Sequence, residues 1–186
     1  MSTVQRLEPI TITEYLDGEE ASDIRHEYVG GVTYAMVGAS VRHNLITGAI
    51  FAAIRNHLRG SACQVFQSDM KVQLDQVFYY PDVVVSCEEN EQDARFLDGP
   101  KLVVEVLSPS TEAKDRLEKL VAYRSINTVD EYVLVSQNKI QIEIYRRIDN
   151  DWQLETCTDG DVVELASISL VIPIRTIYED VLGVGN

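Results

Sequence analysis

Two acidic side chains stand where an acid is expensive. Glu105 interrupts Leu102-Val103-Val104-Glu105-Val106-Leu107, a run with the aliphatic and β-branched composition of a strand buried on both faces. A carboxylate there is costly unless it is paired, protonated or bound to a cation. The run ends in Ser108-Pro109-Ser110-Thr111, where Pro109 removes a ladder donor and the hydroxyls can cap a helix. Asp82 follows Pro81 and opens a second Val-rich run, Val83-Val84-Val85, with the proline fixing the strand's entry. Open α/β sheets bind ligands at the carboxyl ends of their strands. Two carboxylates converging at the ends of neighbouring strands repel unless a hard divalent cation lies between them, and Mg²⁺ favours one or two carboxylates with several waters. Such an ion polarises a phosphoryl oxygen and generates a hydroxide nucleophile. Structural readings compete at both positions: Glu105 paired with a core Arg or Lys, and Asp82 as a surface acid in a turn.

Other constellations carry less. Ser108 has no His nearby in sequence, and helix capping accounts for its hydroxyl. His43, near a helix start, reads as a surface or capping residue, with approach to a phosphate as the alternative. His26 and His57 lack metal-ligand spacing, and no Gly-rich loop matches a nucleotide-binding fingerprint. Trp152 reads as core.

The elements that must position these acids follow from periodicity and punctuation. A short helix is expected over 11–18, and two strands joined by Gly30-Gly31 read as a hairpin. Ser40 to Leu58 is the clearest helix, with Leu45, Phe51, Ile54 and Leu58 at helical spacings and Gly60 as its stop. Strands are expected over 64–67, 71–74 and 83–86, then at Glu105 itself, followed by a second long helix over 112–125. The remainder reads as β-rich, with strands over 131–136, 140–146, 152–156 and 162–165. Asn138-Lys139 and Asn150-Asp151 would be turns, and a short helix would close the chain over 174–182.

The 186 residues suit one domain, 1–186, with no internal repeat or linker. Apolar residues make up 45% and charged residues 25%, the composition of a soluble globular chain. No apolar run reaches membrane-spanning length and the start lacks a signal-peptide core, so a cytoplasmic protein with no membrane partner is expected. Cys63, Cys87 and Cys157 are far apart and odd in number, which argues against a disulfide framework or zinc and for buried or incidental thiols. The formal charge of −14 repels nucleic acid over much of the surface, so binding it requires a local basic patch or bridging metal ions.

With these residues in view, the chain resembles the Uma-type endonuclease family, abundant in cyanobacteria and within the PD-(D/E)xK restriction-endonuclease-like superfamily. Pro81-Asp82 followed by Glu105 at the end of a strand matches the superfamily signature. The closer matches are 25–31, the His43-bearing helix start, 80–85, 102–111, Lys119, Tyr123 and 130–135, which together span about residues 12 to 180. The resemblance implies an α/β (α+β) fold: a restriction-endonuclease-like core with a central mixed sheet, flanking helices and additional antiparallel strands. It also implies Asp82 and Glu105 as ligands of Mg²⁺ or Mn²⁺, the Val106 carbonyl as a third, and Glu27 as an additional acid. For Glu27 a solvated hairpin charge is the alternative.

One departure matters. The signature wants Lys two residues after the acid, and that position is Leu107. A cation is needed beside the nucleophilic water, to position it and to offset transition-state charge. The resemblance points to Lys119 as a lysine moved to the following helix, with Lys71 and Lys101 as spares. A helical wheel opposes it: Ala113, Leu117, Leu120 and Val121 form the expected core face and Lys119 lies roughly 140° from its centre. The alternative for Lys119 is an i,i+4 surface pair with Asp115.

The leading expectation is a metal-dependent endonuclease acting on DNA, with a homodimer suited to cutting both strands. Its rival keeps the fold as a catalytically inactive DNA- or protein-binding module, a reading the displaced lysine and the acidic charge favour.

Overall fold

In the computed structural model, which describes residues 9–182, local sequence accounts for most element boundaries. Helix α1 (Ile12–Glu20) begins at Thr11, which exchanges hydrogen bonds with Glu14 in a capping box. Strands β1 (His26–Val29) and β2 (Val32–Ala35) are joined by Gly30-Gly31, both at positive φ, the backbone a tight hairpin needs. Helix α2 (Val41–His57) is capped by the Ser40 hydroxyl, which accepts from the His43 N–H. Then come β3 (Gln64–Gln67), β4 (Lys71–Leu74), β5 (Val77–Tyr79), β6 (Val83–Ser86), β7 (Phe96–Leu97) and β8 (Pro100–Leu107). One continuous helix follows in three parts: α3 (Glu112–Lys114), a π-helical turn (Asp115–Lys119) and α4 (Leu120–Arg124). The chain closes with β9 (Glu131–Ser136), β10 (Gln141–Ile148), β11 (Asp151–Thr158), β12 (Val162–Leu165), β13 (Leu170–Pro173) and α5 (Ile174–Tyr178).

The architecture is mixed α+β. The central sheet has the order β11-β10-β9-β8-β6-β3, with β8 and β9 parallel and their outer neighbours antiparallel. A second sheet has the order β2-β1-β5-β4-β7, and β12 pairs with β13 in a separate ribbon. One face of the central sheet buries Val83, Val85, Leu102, Val104 and Val106 against Ile46, Ile50 and Ile54 of α2, together with α5. The other face buries Val84, Val103, Leu107 and Tyr132 against Tyr123 of α4 and against Val72 and Tyr79 of the second sheet. No helix among the described residues is long and apolar enough to cross a membrane.

Several expectations are corrected. The buried stripe of α2 is Ile46–Ile50–Ile54–Leu58, at every fourth residue, while Leu45 faces solvent. The helix after β8 is turned over relative to its wheel. Leu117 and Val121 are 69% and 70% exposed, while Asp115 and Lys119 are 1% and 4% exposed. The cause lies beneath the helix: β8 presents a buried carboxylate, and a buried charge needs a counter-charge more than the surface needs its apolar side chains covered. Asp115, Lys119 and Tyr123 lie four residues apart, one below another along that inner face. Cys63 and Cys87 are joined in a disulfide, contrary to the expectation of free thiols. Gln64 of β3 pairs with Ser86 of β6, so the two cysteines fall opposite each other one step beyond the ladder. The turn between β10 and β11 is Asp149-Asn150, with Asp149 at positive φ. Strands β5, β7 and β13 were not expected; all are short, and Pro173 ends the last.

Candidate active site

Strand alternation decides where each acid points. Leu102, Val104 and Val106 of β8 face α2, so Val103, Glu105 and Leu107 face α4 and the second sheet. In the antiparallel β6–β8 ladder Val83 stands opposite Val104. One residue further Asp82 falls opposite Glu105, and residues opposite each other across a ladder share a face. Asp82 is fixed there by a hydrogen bond that its Oδ2 accepts from the Val106 N–H at 2.7 Å. The two acids belong to one site because of register.

Above Glu105 sits Lys119. Its Nζ donates to Glu105 Oε1 at 2.8 Å and stands 3.0 Å from Glu27 Oε1 and 3.3 Å from Asp115 Oδ1. Glu27, on β1, is also held by Lys114, whose Nζ donates to Oε2 at 2.6 Å. Both ammonium groups lie over the Tyr79 ring, 5.2 and 5.3 Å from its centroid, a favourable cation–π placement. Tyr79 in turn donates its hydroxyl to Glu118 Oε1 at 2.7 Å. The i,i+4 partner of Lys119 is indeed Asp115, but the pair is buried under the helix. Lys101 pairs with Asp130 and Lys71 lies over the Tyr80 ring, which leaves Lys119 as the lysine on Glu105.

The site opens into a cleft of about 800 Å³ bordered by Tyr34, His43, Ser108 and Lys114. His43 brings its Nε2 to 3.2 Å from Asp82 Oδ2. Sequence reasoning favours a surface or capping role for His43, with approach to a phosphate as the alternative, and has Asp115 only as a surface partner of Lys119. The available signal for both was spacing: His43 is three residues past the Ser40 cap, and Asp115, Lys119 and Tyr123 repeat by four.

Four carboxylates, Glu27, Asp82, Glu105 and Asp115, share this space with two lysines. With all four ionised and His43 neutral, negative charge is in surplus by two, which favours protonation of the most buried of them. Burial, and then the negative charges of Asp115 and Asp82, push the Glu105 pKa well above the carboxylate range, although Lys119 opposes the shift. Burial likewise raises Asp115. For Lys119, burial alone would lower the pKa, but Glu105 and Glu27 outweigh it and keep the ammonium charged. For Glu27, burial is outweighed by Lys119 and Lys114, which hold its pKa low. Among the described residues the buried Tyr123 hydroxyl has no hydrogen-bond partner, and Asp115 Oδ1 has only its ion pair with Lys119. Among the described residues no three His, Cys, Asp or Glu side chains are already gathered as a metal-binding cluster. Asp82 and Glu105 fall opposite each other across the β6–β8 ladder, and carboxylate oxygens are donors of the kind a hard cation takes.

Residues 12–175 match the Uma2 family, described as "Putative restriction endonuclease". The chain belongs to this family. Two proteins of Synechocystis sp. (strain ATCC 27184 / PCC 6803 / Kazusa) are similar to it: slr1290, 39% identical over 89% of each chain, and sll1609, 30% identical over 83% of this chain and 90% of the other. Both carry the description "uncharacterized". A solved structure from Anabaena variabilis ATCC 29413, described as a "putative nuclease belonging to DUF820", superposes with a TM-score of 0.75. It is 20% identical and the match covers 94% of this chain and all of the other, a likeness of fold. The family membership and this fold agree with the central mixed sheet described above.

Proposed function

We propose that this chain is a single-domain, divalent-metal-dependent endonuclease that hydrolyses phosphodiester bonds in DNA. The observation that carries the reading is the facing pair Asp82 and Glu105 with a buried lysine on the second acid: Lys119 Nζ is 2.8 Å from Glu105 Oε1. The endonuclease description of the family and the nuclease description of the solved neighbour support it. Asp82, Glu105 and the Val106 carbonyl would hold Mg²⁺ or Mn²⁺, oxygen donors that suit a hard cation. The surplus negative charge fits such an ion. Once bound, it supplies Lewis-acid polarisation and a more acidic water.

The chain's own groups do the rest. Lys119 directs its ammonium to the side of Glu105 where water is to be held, and offsets charge on the pentavalent phosphorus. Leu107 stands where the signature has lysine, and the following helix supplies Lys119 to Glu105 instead. Glu27 keeps Lys119 and Lys114 in place rather than touching substrate. Because the cleft is acidic, DNA phosphate can enter favourably only after the cation has bound. A two-fold homodimer, placing two clefts on the two strands of a duplex, belongs to the same reading; sedimentation of the protein with and without a duplex tests it.

One observation favours the inactive binding module instead. Lys119 is enclosed by three carboxylates. Plasmid nicking with Mn²⁺ and then Mg²⁺, beside Asp82→Ala, separates the two. Nicking by the wild type that disappears in the variant is the expected result. No nicking with either metal by folded protein would overturn the endonuclease and leave the binding module.

A further inference from the structure

His43 is held in the site more firmly than a surface or capping residue needs to be. The Ser40 hydroxyl accepts from the His43 N–H at 3.1 Å and donates to Gln137 Oε1 at 2.8 Å. Gln137, buried, donates its amide to the Leu107 carbonyl at 2.8 Å. The first turn of α2 is thereby tied to the end of β8, the strand that carries Glu105 and Val106. The ring itself is oriented too. Nδ1 lies 3.5 Å from the Thr47 hydroxyl, and that hydroxyl already donates to the His43 carbonyl at 2.9 Å. It can therefore only accept from the ring, so Nδ1 carries a proton. Nε2 faces Asp82 Oδ2 at 3.2 Å, where without a cation its proton is donated to the carboxylate and a bound ion would take that proton's place; 13% of the His43 side chain is exposed.

Two neighbouring ligands of an octahedral ion, each about 2.1 Å from it, stand roughly 3 Å apart. The Nε2–Oδ2 separation has that size, and the second-nitrogen contact is the one that usually orients a ligating imidazole. We infer that His43 is a further ligand of the divalent ion at Asp82, and that its nitrogen biases the site toward Mn²⁺ and other transition ions over Mg²⁺. Imidazole suits transition ions, whereas Mg²⁺ keeps to oxygen donors and water. The inference rests on the metal-dependent reading of the same site and goes beyond it in naming a ligand and a selectivity.

The test is pulsed electron paramagnetic resonance of the Mn²⁺-loaded full chain, with calorimetric titrations of Mn²⁺ and Mg²⁺ into the wild type, His43→Gln, His43→Ala and Asp82→Ala. Glutamine keeps side-chain size and a donor to Asp82 but has no ligating ring nitrogen. The wild type should show a nitrogen coupling to Mn²⁺ that both His43 variants lose. Their Mn²⁺ affinity should fall about tenfold or more, while Mg²⁺ affinity changes by less than about threefold. Absence of the nitrogen coupling in the wild type overturns the inference, and needs no variant to fold. So does unchanged Mn²⁺ affinity in the His43 variants. If Asp82→Ala loses Mn²⁺ while the His43 variants keep it, only the role of His43 falls. If Asp82→Ala binds Mn²⁺ as the wild type does, the metal site itself is misplaced.

Discussion

Glu105 on β8 and Glu131 on β9 are buried carboxylates on adjacent strands of the same sheet, and their surroundings are built in opposite ways. Glu131, 0% exposed, accepts from Arg146 Nε at 2.8 Å, from the Ala166 and Ser167 N–H groups at 3.1 and 3.0 Å, and from the Ser167 hydroxyl. Four donors fill its lone-pair sites and one guanidinium balances its charge. Glu105 receives one hydrogen bond, from a lysine that also serves Glu27 and Asp115. The difference is between a carboxylate that completes the fold and one that the fold leaves incomplete. Burial alone does not separate them; the count of donors and the local charge balance do.

Substitutions at the two acids should therefore part company. Glu105→Ala and Asp82→Ala are expected to reduce DNA cleavage at least a hundredfold without loss of the folded state, as read by nicking rates and circular dichroism. Residual activity near the wild-type rate would dissolve the contrast. Lys119→Met should cost activity on a similar scale, since it removes the ammonium that donates to Glu105.

Glu131→Ala should do the reverse. Arg146 would keep Glu155 and the Glu164 carbonyl, but the Ala166 and Ser167 N–H groups and the Ser167 hydroxyl would lose their acceptor, at about 1–3 kcal/mol for each buried group left unpaired. Denaturant unfolding measures this, and specific activity per folded molecule should stay unchanged. A variant as stable as the wild type would mean that Glu131 is not structural.

A smaller effect is electrostatic. Burial raises the Glu105 pKa, so above the ordinary carboxylate range the folded state binds more protons than the unfolded one. Stability from this group is then lost as pH rises through the raised pKa. With chelator present, the thermal midpoint of the wild type relative to Glu105→Gln should fall by roughly a few degrees between pH 5 and 8. Glu27 runs the other way: its lowered pKa gives stability above about pH 4.3 that is lost as pH falls further. A pH-independent difference between wild type and Glu105→Gln would show Glu105 to be as well compensated as Glu131. The smallest effect is expected at the outward face of the same helix, where Leu117→Glu should leave monomer stability within about 0.5 kcal/mol. A large loss there would mean that the apolar stripe is covered in solution.

Much of this contrast was legible in sequence at one end only. The acid within the Leu102–Leu107 run and the Pro81-Asp82 pair announce themselves, because a charge in an apolar strand has few cheap explanations. The hairpin at Gly30-Gly31 and the capped helix from Ser40 are equally local signals. Lys119 was misread by the wheel because amphipathicity assumes that a helix buries its apolar side, and here a carboxylate beneath it reverses the preference. Glu131 gave no warning: its donors Arg146, Ala166 and Ser167 are 15 to 36 residues away, and only the folded sheet assembles them. The Cys63–Cys87 disulfide was hidden for the same reason, since it depends on β3–β6 register.

The most direct measurement of the central claim is calorimetric titration of Mn²⁺ into the chelator-treated chain, beside Glu105→Gln and Glu131→Gln. One saturable site per chain is expected in the wild type, lost or strongly weakened in Glu105→Gln and retained by folded Glu131→Gln. Equal binding in wild type and Glu105→Gln, or no binding in the wild type, would contradict it.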